Sequence, residues 1–398
     1  MLPFLKKCLQ YILMRKISIL FVEFHSNGGS VNGLLAELEY LKANHSQEFE
    51  TVVIGPPDSI LREHSNAFDF FYAKKTYELS EMYDHFLRTL YNYFSTIFFI
   101  TFIVLKHHIV LIHCNNYFWS PHVNPVGFIL RKQVIVHLKD VLLLEPKIAR
   151  VLMKFNKRTI YIAVSQYVKK LFTTKYKVRK EKIVTIYDGI DSKIFTFCGE
   201  KRAQKKFEQP NKKIIMISRV APTRNIEVFI DTAALLAKKY PKLIFLHHGY
   251  LKGYVDEEYF STLKKRVKSL NLEGQFIFEN YKSDRKKITK LLQSSFLSIV
   301  PATNFALPNT LIESMMCGTP GVANDVGGNS EIIINESLGK LIPSNSPLLF
   351  VKSIEYYLRN KAAYLKASVN GSKIAHLKFS AEKIYGEFLS LYKSLLGK

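Results

Sequence analysis

Cysteine is scarce in this chain. Four cysteines in 398 residues (Cys8, Cys114, Cys198 and Cys317) stand far apart. That spacing excludes a disulfide scaffold, a zinc module and a dithiol redox motif, and it suits a reducing compartment. Acidic residues are also under-represented, 33 against 57 basic ones, for a formal charge of +24. Such an excess favours anionic partners: nucleic acid, an acidic lipid surface or phosphorylated ligands. No zinc-finger spacing or RNA-binding aromatic pattern is present, and the basic residues fall in scattered clusters at 175–182, 201–213, 264–268 and 285–290. Each cluster alone reads as a solvated face. Together they argue against nucleic acid and for acidic headgroups.

Long hydrophobic runs are missing too. The greasiest stretch, IFFITFIVL at 97–105, is closed by Lys106, His107 and His108, well short of a membrane span. No secretory signal is expected, because Lys6 and Lys7 interrupt the first apolar stretch and no small-residue cleavage site follows. Leu2, Leu5, Leu9, Ile12 and Leu13 share one helical face, which fits an interfacial anchor or a helix packed on the domain.

What is present is a two-domain globular composition: 47% hydrophobic residues in a chain longer than one core usually holds. Compact apolar runs at 17–24, 51–54, 109–113, 134–137, 160–165, 213–218, 243–247, 275–278 and 296–300 alternate with stretches of helical period. That alternation predicts an α/β fold with parallel sheets. The charged stretch around 195–210 reads as a linker. In the aromatic-rich segment 72–105, Tyr83, Phe86, Leu90, Tyr91 and Phe94 recur every three or four residues, as core packing or as a membrane-facing patch.

The chemistry concentrates at 301–331, PATNFALPNTLIESMMCGTPGVANDVGGNSE. It reads as a strand end, a loop, a short helix capped by Asn309 or Thr310 and ending at Cys317-Gly318, a second strand, and a glycine loop. A loop entering a helix at the carboxyl end of a parallel strand suits a phosphate. The run LPNTLIESMMCGTPGVANDVGGNSEI resembles the donor-site signature of glycosyltransferase family 4. These are retaining transferases of the GT-B fold that use nucleotide sugars, and the Leu-Pro-Asn-Thr version is similar to members that build capsules, exopolysaccharides and lipopolysaccharides.

The resemblance implies two doubly wound, Rossmann-like domains facing across a cleft. Residues 1–197 would be the acceptor domain, 198–211 the linker, 212–375 the donor domain, and 376–398 a helix crossing back. It implies that Gly28 and Gly29 border the donor phosphates, and that Arg219 and Arg224 (the latter in place of the family's Lys) stabilise the departing diphosphate. Glu313 would grip the ribose hydroxyls, while Leu307, Asn309 and Thr310 would present amides to phosphate; Pro308 has no N–H to offer. His137, ending the run 134–137, reads as a hydrogen-bonding residue on the acceptor side or as a structural histidine.

The family also carries an acidic residue eight positions before Glu313, where this chain has Phe305, preceded by Asn304. Asn304 holding the sugar, an unusual donor and an impaired enzyme all fit that gap. Tyr187 and Asp188 stand where Pro and Asn are usual. The expected activity is transfer from a nucleotide-diphosphate sugar to a hydroxyl of a lipid-linked or oligosaccharide acceptor, with no metal and no cofactor. Its expected setting is the inner face of the cell membrane, on the cytoplasmic side, in envelope polysaccharide assembly. The rival is a catalytically impaired GT-B protein acting as a membrane-associated partner.

Overall fold

The computed structural model describes residues 16–26, 28–76, 86–141, 158–249, 257–280, 284–303 and 305–397, with side chains of the helix that starts at 86 described from residue 90. The face formed by Leu2 to Leu13, the side chains of Tyr83 and Phe86, and Asn304 therefore lie outside the described residues. The chain divides into two compact units. One holds residues up to 164, 168–186 and 385 onward; the other holds 165–167 and 187–384.

The first unit is built on seven parallel strands: β1 (Ile17–Val22), β2 (Phe49–Gly55), β3 (Phe70–Ala73), β4 (Leu111–Cys114), β5 (Gln133–Leu138), β6 (Thr159–Ala163) and β7 (Ile183–Thr185), in the order β3-β2-β1-β4-β5-β6-β7. Ile19, Leu20, Phe21 and Val22 are wholly buried, as a central parallel strand covered on both faces requires. Its main described helices are, in chain order, α1 (Gly29–His45), α2 (Phe86–Lys106), α3 (Ser120–Ile129) and α4 (Gln166–Thr174). Helix α1 buries Val31, Leu34, Leu38 and Leu41, the i, i+3, i+7 stripe of an amphipathic helix.

The second unit carries six parallel strands: β8 (Lys213–Ile217), β9 (Ile244–Gly249), β10 (Phe276–Asn280), β11 (Leu297–Val300), β12 (Gly321–Asn324) and β13 (Gly339–Ile342), in the order β10-β9-β8-β11-β12-β13. Its main helices are α5 (Glu200–Glu208), α6 (Ile226–Ala237), α7 (Glu257–Ser269), α8 (Arg285–Ser294), α9 (Asn309–Met316), α10 (Pro347–Arg359), α11 (Lys361–Phe379) and α12 (Ala381–Leu395). The last passes into the first unit at Tyr385. Two parallel sheets with helical crossovers make this the two-domain α/β architecture of the GT-B fold.

The stretch 198–211, expected as a loose linker, is mostly helix α5. Its charged exterior hides an inward face on which Ala203 and Lys206 are buried, and Lys206 Nζ donates to Gly318 O at 2.9 Å. Burial lowers that ammonium to about 7.

In each sheet the strand order reverses once, between β1 and β4 and between β8 and β11. Ligands of open parallel sheets bind outside the carboxyl ends of the strands at such switch points.

Candidate functional site

In the second unit the switch point is bridged by Asn225. Strand β8 ends at Ile217, Ser218 and Arg219 follow, and a single 3₁₀ turn (Pro222–Arg224) brings the chain to Asn225 at φ 51°. From that left-handed position Asn225 Nδ2 donates to Pro301 O at 2.9 Å, and Asn324 Nδ2 reaches the same oxygen at 2.8 Å. The loop after β11 is thus fixed to β8 and β12. Arg219 is exposed beside it. The Arg224 guanidinium lies 4.1 Å from the centroid of the Phe305 ring.

Gly327 and Gly328 support this loop from behind. A Cβ on Gly327 (φ +59°) would stand 1.9 Å from Phe305 O, and one on Gly328 2.7 Å from Ala306 O. Only glycine admits that approach of backbone to backbone. Ala306 O also accepts a hydrogen bond from Ser165 Oγ at 2.8 Å.

Helix α9 starts at Asn309 directly after Pro308, with no side-chain cap. The expected cap is absent because Asn309 turns its Nδ2 to Asp188 Oδ2 (3.2 Å), while its buried Oδ1 has no partner among the described residues. The first amides of a helix have no intrahelical acceptor, so this mouth offers N–H groups to an anion. Leu307 is buried; only its backbone can serve a ligand. Thr310 is half-buried in the first turn.

One turn further in, the half-buried Glu313 carboxyl receives no hydrogen bond from any described residue. Burial pushes it up to about 7, against the pull of Arg285. Tyr187 and Asp188, which stand where the resemblance has Pro and Asn, both find partners here: Tyr187 Oη donates to Glu331 Oε2 at 3.0 Å and Asp188 holds Asn309. Glu331 also accepts from the backbone N–H groups of Gln166 and Tyr167 at 2.8 and 2.9 Å.

The first unit shows a matching arrangement at its own switch point. Glu23, just past β1, and Asn115, just past β4, meet through Asn115 Nδ2 and Glu23 Oε2 at 2.6 Å. Glu23 further accepts from Ser30 Oγ (2.8 Å), His25 N (3.0 Å), His25 Nδ1 (2.6 Å) and Trp119 Nε1 (3.3 Å). Burial alone would raise the Glu23 carboxyl; the bonds and charge of His25, with Ser30, hold it at about 2. Gly28 takes φ 105° immediately before α1, and Gly29 is its first residue. Lys139 Nζ, beyond β5, donates to Asn115 Oδ1 at 2.7 Å and Ser30 O at 3.3 Å.

His137 is not exposed at that edge. It is buried 5.5 Å from the Phe388 ring and 5.9 Å from His113, and neither ring nitrogen has a partner among the described residues. Burial, then Lys139 and His113, drive its pKa well below the usual histidine value. The alternation of a strand put His137 on the face that α12 covers, so the groups at the strand ends are His25 and Lys139 instead. Among the described residues no three His, Cys, Asp or Glu side chains cluster as a metal site would require.

Two Rossmann-like units, each with its polar groups gathered at a switch point, define a two-domain α/β protein, and comparison with known families narrows the class. Residues 199–374 match the model of glycosyl transferases group 1 and residues 28–193 that of glycosyltransferase family 4. The chain belongs to these group 1, family 4 glycosyltransferases. Among curated relatives it is 22% identical over 217 residues to N-acetyl-alpha-D-glucosaminyl L-malate synthase of Bacillus anthracis (54% of each chain). It is 26% identical over 216 residues to the lipopolysaccharide core biosynthesis mannosyltransferase LpsB of Rhizobium meliloti (53% of this chain, 60% of that one). These matches span little more than half the length of either relative. Among solved structures, Anabaena Alr3699/HepE in complex with UDP superposes with a TM-score of 0.78 at 20% identity, covering 95% of this chain and all of that one. A glycosyltransferase from Rickettsia africae ESF-5 gives 0.80 at 19%, covering 96% and 99%. At such identities the likeness shows the fold.

Proposed function

We propose that the protein transfers a sugar from a nucleotide-diphosphate donor, held by the second unit, to a hydroxyl of a lipid-linked glycan bound to the first. The observation that carries this reading is Glu313: a half-buried carboxyl that accepts no hydrogen bond from any described residue, one turn inside an uncapped helix mouth and on the same switch point as Arg219 and Arg224. A carboxylate accepts two hydrogen bonds at once, which matches a ribose diol. The helix mouth and the two guanidinium groups match the diphosphate. Solved neighbours in complex with UDP and with UDP-glucose support the donor class.

In the transfer, the anomeric C–O bond to the leaving phosphate breaks as the bond to the acceptor oxygen forms on the same face. The acceptor's proton passes to the leaving phosphate oxygen, so configuration is retained and no dedicated protein base is needed. Arg219 and Arg224 stabilise charge that grows on the diphosphate in the transition state. The residues carrying this chemistry call for no metal or cofactor. A role in envelope polysaccharide assembly on the inner membrane face, on the cytoplasmic side, is supported by the likeness to LpsB and by the +24 charge. Among the described residues no helix is long and apolar enough to cross a membrane.

Thermal unfolding with UDP-, GDP- and ADP-sugars tests the donor reading: one class raises Tm in the native chain and fails to do so in Glu313→Gln. Absence of any shift from all three would sink it.

A further inference from the structure

Helix α2 exposes an apolar ridge that no described residue of its unit covers. Tyr91, Phe94, Phe98, Phe102 and Leu105 are 74%, 60%, 76%, 52% and 58% exposed. Their spacing of 3, 4, 4 and 3 residues places them within about 80° of arc on one side of the helix. The opposite side, through Ile100, Ile103 and Val104, is buried in the unit. No residue between Arg88 and Lys106 is charged. A solvated helix face of this length ordinarily carries charges, and a contiguous apolar ridge marks an interaction site.

Cations line one edge of the ridge. Lys74 Nζ donates to Ser95 Oγ at 3.0 Å and lies 5.9 Å from the Phe99 ring. Lys106 Nζ lies 5.9 Å from the Phe102 ring and 5.2 Å from that of Tyr72. Helix α3, packed against α2, exposes Phe128 and Ile129 just before Arg131 and Lys132. An aromatic face edged by lysines is the chemistry of a helix lying in a bilayer interface, rings among the acyl carbons and ammonium groups at headgroup level. A second copy of this chain would bring another +24 to the contact, whereas an anionic bilayer brings the complementary sign.

We infer that α2 is the membrane-docking helix of this protein: it lies flat on an anionic leaflet with Tyr91, Phe94, Phe98, Phe102 and Leu105 inserted and Lys74 and Lys106 at the phosphates. The inference deepens the membrane part of the proposed function and is independent of the donor site.

Flotation of the full chain with phosphatidylcholine vesicles containing about 30% phosphatidylglycerol tests it. The native chain is expected to float with these vesicles, and Phe98→Glu to bind about ten-fold or more weakly. Lys74→Ala combined with Lys106→Ala should weaken binding at low salt and little at high salt. A native chain that stays with the unbound fraction overturns the inference, as does a Phe98→Glu variant that floats like the native chain. So does a concentration-dependent dimer that Phe98→Glu dissolves, since the ridge would then be covered by a second copy. Nucleotide-induced Tm shifts, read on both proteins, separate the two readings: a retained shift shows that Phe98→Glu is folded, and none in the native chain counts against the donor site alone.

Discussion

Arg224 rests on the face of Phe305, guanidinium carbon 4.1 Å from the ring centroid. Phe305 stands where the resemblance places a carboxylate, so the cation that would otherwise face an acid meets an aromatic ring. Stacking of this kind contributes roughly 0.5–2 kcal/mol and fixes the plane of the guanidinium. Phe305→Ala is therefore expected to weaken nucleotide binding about 2- to 30-fold by calorimetry, with Tm little changed. Unaltered affinity would mean that the ring does not orient Arg224 for the donor.

Arg219 is the more exposed of the two cations at the β8 end. If it stabilises charge that develops on the leaving diphosphate, Arg219→Ala lowers kcat by about two orders of magnitude or more. The loss should fall on kcat more than on donor KM. Near-native turnover in that variant would remove Arg219 from the chemistry.

Glu313 makes stability and binding depend on pH in a defined direction. Its carboxyl titrates near 4.5 in an unfolded chain and about 7 in the fold. Between those values the folded state holds a proton that the unfolded state has released, so this group costs stability increasingly as pH rises, and the full cost applies above about 7. The cost has a ceiling of about 3 kcal/mol. Glu313→Gln should accordingly be more stable than the native chain at about pH 8 and nearly equal to it at about pH 4, by urea unfolding. Nucleotide binding that engages the ionised carboxyl should release protons near neutrality, seen as a buffer-dependent enthalpy. A variant destabilised at the higher pH would show that the carboxyl is paired after all.

His25 replaces His137 as the acceptor-side candidate. Glu23 is ionised and can only accept, so His25 Nδ1–H donates to it at 2.6 Å. His25→Asn can keep an N–H toward Glu23 while removing Nε2. Acceptor KM should rise about ten-fold, with donor KM and Tm nearly unchanged. An equal change in both KM values would assign His25 a structural role only.

The C-terminal helix is tied to the first unit by a buried polar chain. Tyr392 Oη donates to Glu37, and His113 Nδ1 donates to Tyr392 Oη at 2.7 Å; all three residues are buried. Tyr392→Phe leaves Glu37 without that donor and should cost about 2–4 kcal/mol in urea unfolding. A loss below about 0.5 kcal/mol would mean that the chain adds nothing to the docking of α12.

Much of this was legible from local pattern. The apolar runs at 17–24, 134–137, 213–218 and 296–300 became β1, β5, β8 and β11 because a buried parallel strand needs an unbroken apolar stretch. Strand β3 escaped notice: on the sheet edge its FFYA is half-exposed and needs no such run. Strands β7 and β13, three and four residues long, are too short to leave a periodic signal. Helix α5 was masked by its charged exterior, and only the contact of Lys206 with Gly318 reveals its inward face.

The chain's own order of residues settled the α/β class, the family and the place where helix α9 begins, because each depends on neighbours a few residues apart. Only the folded chain decided which side of β5 His137 occupies, and that Tyr187 meets Glu331 and Asp188 meets Asn309 across more than a hundred residues. It also decided that the aromatic helix keeps a whole ridge outside. The facing of a side chain is set by what packs against its element, and no local pattern carries that information.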